Sequence, residues 1–268
     1  MTVDFGPYDH YVYALLALIG TFLGAWFLLR LSQNSRYASL IHSFRGIAPN
    51  FLSVIGVVFA LNLVFLANDT WHAHDSALDA VFQEASSLRS IVALAAALPE
   101  PTRATVDSAI RRYATLTVAD DWPALAQRQN SPAAADQLDS LLALLASTPV
   151  TQSLDKNVHA LVLQQAIQVR NTRSVRVALS QTHVNPLKWL GMAFLGFLMM
   201  ISIVLVHVDA PRAEIAAVLL FAAAAAPTAA IVLVQGNPFQ QPTAVSSGPI
   251  AALAEVATAP LGLPRAAP

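Results

Sequence analysis

Four apolar runs, residues 11–29, 51–67, 189–206 and 215–234, constrain this chain more than any other feature. Each approaches the roughly 20 residues a helix needs to cross a bilayer core about 30 Å thick. Lipid offers no partner for backbone polar groups, so an open segment of this kind spans only as a helix. Composition agrees, with 56% hydrophobic and 12% charged residues, about half the charged share of an ordinary soluble domain. The sequence predicts an all-α integral membrane protein, with four transmembrane helices and a helical bundle between the second and third spans.

The first run lacks a basic leader, because Asp4 and Asp9 precede it, and Arg30 follows where small residues would mark a cleavage site. It is expected to stay as an anchor. A net charge of −1 gives no electrostatic case for nucleic acid. The absence of cysteine excludes disulfides, thiolate metal sites and a cysteine nucleophile. Glycine-rich phosphate loops, H-E-x-x-H and G-x-S-x-G are all missing, so neither an enzyme nor a cofactor is expected.

Orientation follows from loop charge. Arg30, Arg36 and Arg45 lie between the first two spans and Arg212 follows the third, while Arg170, Arg173, Arg176 and Lys188 precede the third on the opposite face. The two sides balance, and taking the first span as dominant places the middle segment outside the cytoplasm.

The chain divides by hydropathy into 1–67 (two spans and a short basic loop), 68–188 (the extramembrane bundle), 189–235 (two spans) and 236–268 (a tail). Segment 68–188 contains no glycine and is rich in helix formers. Ala77, Val81, Ala85, Leu88, Val92 and Ala95 keep 3.6-residue spacing, so the second span should continue as one helix to about Leu98, ended by Pro99 and Pro101. Thr102 should cap a helix running to about Val118. Residues 120–132 read as irregular at their edges, 132–146 as a short helix, and 155–183 as a long one leading back to the membrane. After the fourth span come turns at Gly236-Asn-Pro-Phe239 and Ser246-Ser-Gly-Pro249, an amphipathic piece at 250–256, and a disordered tail from Ala257. Gly20 and Gly24 form a G-x-x-x-G that permits close helix approach.

The second span carries the candidate site. Ile55, Asn62, Asp69 and Ser76 recur every seven residues, with Val58, Phe65, His72 and Asp79 beside them. Polar side chains are costly in a lipid-facing helix, so Asn62 and Asp69 need either a water-lined path or a neighbouring helix to bond. Both readings stay open. Asp69, Asp75, Asp79 and Glu84, with no basic residue before Arg89, resemble an acidic vestibule or a solvated helix face. His72 and His74 point about 200° apart on a helix and cannot chelate, and no metal site is expected. Arg170, Arg173 and Arg176 form an i, i+3, i+6 ladder that can pair with Glu84, Asp79 or Asp75 across the bundle, or concentrate anions.

Several of these pieces together resemble a family of bacterial four-span membrane proteins described as bestrophin-like. They are Gly56-x-x-Phe59-Ala-Leu-x-x-x-Phe65-x-x-x-x-x-Trp71, Glu84-Ala-x-x-Leu88, residues 113–122, Arg170-x-x-Arg173-x-x-Arg176, and Asn237-Pro-Phe239 with Val245-Ser-x-x-Pro249-Ile. The resemblance implies a multi-pass protein of the bacterial inner membrane. It also implies a homo-oligomer, a pentamer in true bestrophins, that conducts inorganic ions along a pore lined by the second helix. The implied pore residues are Val58, Asn62, Phe65, Asp69 and His72; the heptad stripe adds Ile55 to the pore lining, and the run of acids puts Asp75, Asp79 and Glu84 at the vestibule. Three departures stand out: Asn62 puts an amide where a bestrophin neck is apolar, Asp69 would repel anions at the mouth, and the loop charges favour an orientation opposite to the cytosolic middle region of bestrophins. The alternative is a membrane sensor or scaffold that binds a ligand or partner through its middle domain.

Overall fold

The computed structural model describes residues 8–34, 41, 43–44, 48–182 and 185–256. Arg36 and Arg45, which entered the orientation argument, and the tail from Ala257 lie outside the described residues. The elements in chain order are α1 (Asp9–Ser32), α2 (Ala48–Ala95), α3 (Thr102–Leu116), a π-helical turn (Thr117–Asp121), α4 (Trp122–Ala126) and α5 (Pro132–Leu145). They continue with α6 (Thr148–Ser153), α7 (Lys156–Ser180), α8 (Pro186–Val206), α9 (Pro211–Val234) and α10 (Gly248–Val256). Among the described residues every regular element is helical. The chain forms two compact units, Met1–His72 with His183–Gly236, and Ala73–Thr182 with Asn237–Pro268.

The first unit is the membrane unit. α1, the apolar start of α2, α8 and α9 are each long and apolar enough to cross a bilayer. Their core joins Ala25 and Leu28 of α1 to Met200, Ile203 and Val204 of α8 and to Val218 and Ala222 of α9. Small side chains let the backbones approach closely where no hydrophobic effect drives association. The two glycines of the G-x-x-x-G differ: a Cβ on Gly24 would sit 3.4 Å from Met200 Cε, whereas one on Gly20 would meet nothing within 4 Å. On α2, Gly56 faces Met199 and the Phe59 ring lies over Gly196, 5.4 Å from the Phe221 ring.

The second unit is built around α2 beyond His72. Leu88, Ile91, Ile110, Leu141 and Leu145 are fully buried in one core; truncating such a leucine to alanine typically costs about 2–5 kcal/mol. α2 ends at Ala95 and the chain turns, Leu98 N–H donating to Ala95 O at 2.9 Å. Thr102 is the first residue of α3 and not its cap, because Pro101 occupies that place without a side-chain bond. Ser131 caps α5 by accepting from Ala134 N–H, and Asp155 caps α7 by accepting from Asn157 N–H.

Of the stretch 120–132, read as irregular at its edges, residues 120–126 are helical and 127–131 form a turn and loop. Pro123 has no N–H and its ring would clash with a carbonyl four residues back. The helix widens just before it: Trp122 N–H reaches Thr117 O, five residues behind. Thr117 and Asp121, four residues apart on one face, are both fully buried. The chain after the fourth span also belongs to this unit. Asn237 Nδ2 donates to Leu125 O at 3.2 Å, Trp122 Nε1 donates to Val245 O at 3.1 Å, and Phe239 and Ile250 are buried.

Candidate functional site

The two rows expected along α2 are not equivalent. Val58 and Phe65 are exposed, with Phe65 at 66%, while Ile55 and Asn62 are half-buried on the flank. The cause is packing: Gly56 and Phe59 turn toward α8 and α9, which rotates Val58, Leu61 and Phe65 outward. Val54, Leu61 and Asn68 share the outward face, and a heptad reading offset by one residue would have found them. Beyond the apolar stretch Asp69 and His72 are exposed. In the second unit Asp75, Asp79 and Phe82 are exposed.

Asp69 is paired. Lys188 Nζ donates to Asp69 Oδ2 at 2.7 Å, and two residues on Trp71 Nε1 donates to Gln235 Oε1 at 3.2 Å. The start of α8 is held for this contact by Asn185, whose Oδ1 accepts from the N–H groups of Leu187 and Lys188. Among the described residues no three His, Asp or Glu side chains gather into a metal site.

Glu84 departs from the vestibule expectation. It is fully buried, and Arg176 grips it with two bonds, Nε to Oε2 at 2.7 Å and Nη2 to Oε1 at 3.0 Å. Tyr113 Oη adds a third, donating to Oε1 at 2.6 Å. Asp121 completes the cluster by accepting from Arg173 Nη2 at 2.9 Å, from Ser131 N–H at 2.9 Å and from Arg176 Nη2 at 3.4 Å. The Arg176 guanidinium also lies 5.0 Å over the Trp122 ring, which meets Phe239 edge-on. Of the arginine ladder, Arg176 makes the pairing with Glu84 that spacing allowed, Arg173 takes Asp121, and Arg170 reaches the exposed Asp139 at 3.4 Å.

Two carboxylates balanced by two guanidiniums make a neutral cluster, which is what burial demands. Burial alone would lower the Arg176 guanidinium, but Glu84, Tyr113 and Asp121 outweigh it, so the group stays charged. Burial first, then the Glu84 charge, pushes the Tyr113 hydroxyl well above its ordinary value, so it stays a donor. The cluster fastens α2, α3, the π-helical turn and α7 to one another.

The family model for the bestrophin-like domain matches residues 15–250. The chain belongs to the bestrophin-like family. No curated protein matches it. Among solved structures, the crystal structure of a membrane protein variant aligns with a TM-score of 0.66 at 13% identity, covering 88% of this chain and 93% of that one. A single-residue variant of a bacterial bestrophin homolog from Klebsiella pneumoniae aligns with a TM-score of 0.62 at 13% identity, covering 89% of this chain and 95% of that one. At such identity the likeness is one of fold. In this bestrophin-like chain the stretches around Glu84, Tyr113, Arg176 and Phe239 that carried the resemblance all converge on the buried cluster.

Proposed function

We propose that this bestrophin-like protein is a homo-oligomeric ion channel of the bacterial inner membrane, with the outward face of α2 lining a central pore. The observation that carries the reading is the two-sidedness of α2. Its glycine-bearing side is taken up by α8 and α9, and the other leaves Val58, Leu61 and Phe65 exposed, leading into Asp69 and His72. A face that is apolar across the hydrocarbon and acidic beyond it suits a constriction followed by a charged mouth.

In this reading Phe65 and Val58 narrow the pore and gate it by dewetting, with Ile55 behind them. Asn62, on the flank, hydrates passing ions. Asp69 and His72 form the mouth, with Asp75 and Asp79 beyond it, and Glu84 serves the buried cluster. Five copies would satisfy the family resemblance, and the second unit would lie outside the cytoplasm. Planar-bilayer recordings of the purified protein test the proposal. Single-channel currents are expected, larger in Phe65→Ala and altered in Asn62→Leu. Silence from wild type and both variants, all properly assembled, would refute it.

A further inference from the structure

The membrane unit holds a cavity of about 490 Å³ between α1, α8 and α9, with Phe59 of α2 at its inner wall. Tyr13, Trp189 and Leu233 lie toward one end, and Gly196, Met200 and Phe221 toward the other. Its lining is almost wholly apolar, and the one threonine, Thr21, has its hydroxyl donated to Ala17 O at 2.7 Å. Gly20 borders the open space: a Cβ there would touch nothing within 4 Å.

The cavity's depth identifies its occupant. The Asp69–Lys188 and Trp71–Gln235 contacts mark one membrane face, where α1 and α8 begin and α9 ends. Trp189 and Leu233 sit next to those contacts. A helical rise of about 1.5 Å per residue puts Met200 roughly 16 Å beyond Trp189, and Phe221 roughly 18 Å beyond Leu233. Half of a hydrocarbon core of about 30 Å is the same distance. The cavity therefore runs from the interface to the bilayer midplane, the depth of one leaflet. Over that depth the lining offers hydrocarbon to hydrocarbon, with Leu16, Phe197 and Leu233 among its residues and no charged side chain. Left empty, its lining would lose dispersion contacts along its whole length.

We propose that this cavity is a lipid site that takes one acyl chain of a phospholipid from the leaflet at that face. The inference goes beyond the channel reading and does not depend on it, since it needs only the four spans in a bilayer.

Photo-labelling tests it. The full-length protein is placed in phosphatidylcholine nanodiscs containing a trace of the same lipid with a mid-chain diazirine, irradiated, digested and mapped by mass spectrometry. Adducts are expected on the α8 and α9 peptides at Gly196 and Ala225, beside the background on outward residues Leu23 and Leu220. Gly20→Leu and Ala225→Leu fill the space and are each expected to cut the cavity adducts about tenfold, a loss of roughly 1.4 kcal/mol, leaving the outward background unchanged. The wild-type map decides by itself if both variants misfold. Adducts confined to outward residues would overturn the proposal. So would cavity adducts indifferent to both folded variants, or intermolecular disulfides between Leu16→Cys and Leu190→Cys in a wild-type background that takes no cavity label.

Discussion

Arg176 and Glu84, 92 residues apart in the chain, meet through two hydrogen bonds of 2.7 and 3.0 Å with both side chains fully buried. The pair fixes how α2 and α7 face each other, because a planar guanidinium satisfies a carboxylate in this way only in one register. A buried ion pair is weak as a net source of stability, since desolvating both charges offsets most of their attraction. Its force appears when one partner is removed.

Glu84→Ala is therefore expected to destabilise the full-length protein by about 3–5 kcal/mol, because it leaves the Arg176 charge buried beside a hole. Arg176→Lys should also be costly, since a single ammonium cannot make the two-bonded grip or lie flat over Trp122. Glu84→Gln with Arg176→Met should recover part of the loss by removing both charges together. Denaturant unfolding in mild detergent checks all three, and a double variant no better than Glu84→Ala would refute the assigned pairing.

Tyr113 makes the second unit sensitive to alkali. Its hydroxyl titrates well above the ordinary value in the folded protein, whereas the unfolded chain releases that proton near pH 10. Above that pH the folded state holds one more proton than the unfolded state, so stability falls with rising pH until the folded-state value is reached. The slope from this group is about 1.4 kcal/mol per pH unit, and the full contribution is present below pH 10. Tyr113→Phe should lose about 1.5–3 kcal/mol at pH 8 with its charge-assisted bond to Glu84, but should decline less steeply from pH 9.5 to 11. Parallel unfolding curves for the two proteins in that range would contradict the assignment.

Ser131 and Asp121 contact the same arginine with unequal consequences. Ser131 offers its backbone carbonyl to Arg173 and its hydroxyl to Ala134 N–H. Ser131→Ala removes the cap alone, an expected loss of about 1 kcal/mol. Asp121→Ala strips the carboxylate from Arg173 and from Ser131 N–H, and is expected to cost at least about 3 kcal/mol. Thermal unfolding of the two variants should separate them clearly.

The sequence announces the spans, since only apolar length is needed to read them. It also announces several members of the buried cluster, although not their purpose. Glu84 reads as a surface acid because nothing between Asp69 and Arg89 is basic; its partner comes from another helix. Asp121 continues the buried row of Ile110, Ala114 and Thr117 at helical spacing, but its partner Arg173 comes from another helix. On α2, Asn62 and Phe65 stand only 60° apart on the helix, and with apolar neighbours on both sides the pattern cannot tell which row faces out. Contacts of Gly56 and Phe59 with other helices decide it. The segment after the fourth span is read as turns and a short amphipathic piece because its anchors, Asn237 on Leu125 and Val245 on Trp122, join residues more than a hundred positions apart.

Lys188 and Asp69 supply the sharpest functional prediction. Both side chains are more than half exposed at 2.7 Å, so the pair should add no more than about 1 kcal/mol to stability. Its effect on ions is of another kind. With Lys188 in place the carboxylate at the proposed mouth is largely compensated, and a passing cation meets little net field. In the proposed oligomer Lys188→Gln uncovers that charge in every copy around the axis, whereas Asp69→Asn leaves the lysines uncovered. In vesicles under a KCl gradient, the reversal potential should move toward the potassium equilibrium value for Lys188→Gln and toward the chloride value for Asp69→Asn. Both shifts should shrink as ionic strength rises from 10 mM toward 1 M, because the screening length falls from about 30 Å to about 3 Å. Shifts of the same sign in both variants, or shifts indifferent to salt, would show that ions do not pass this pair.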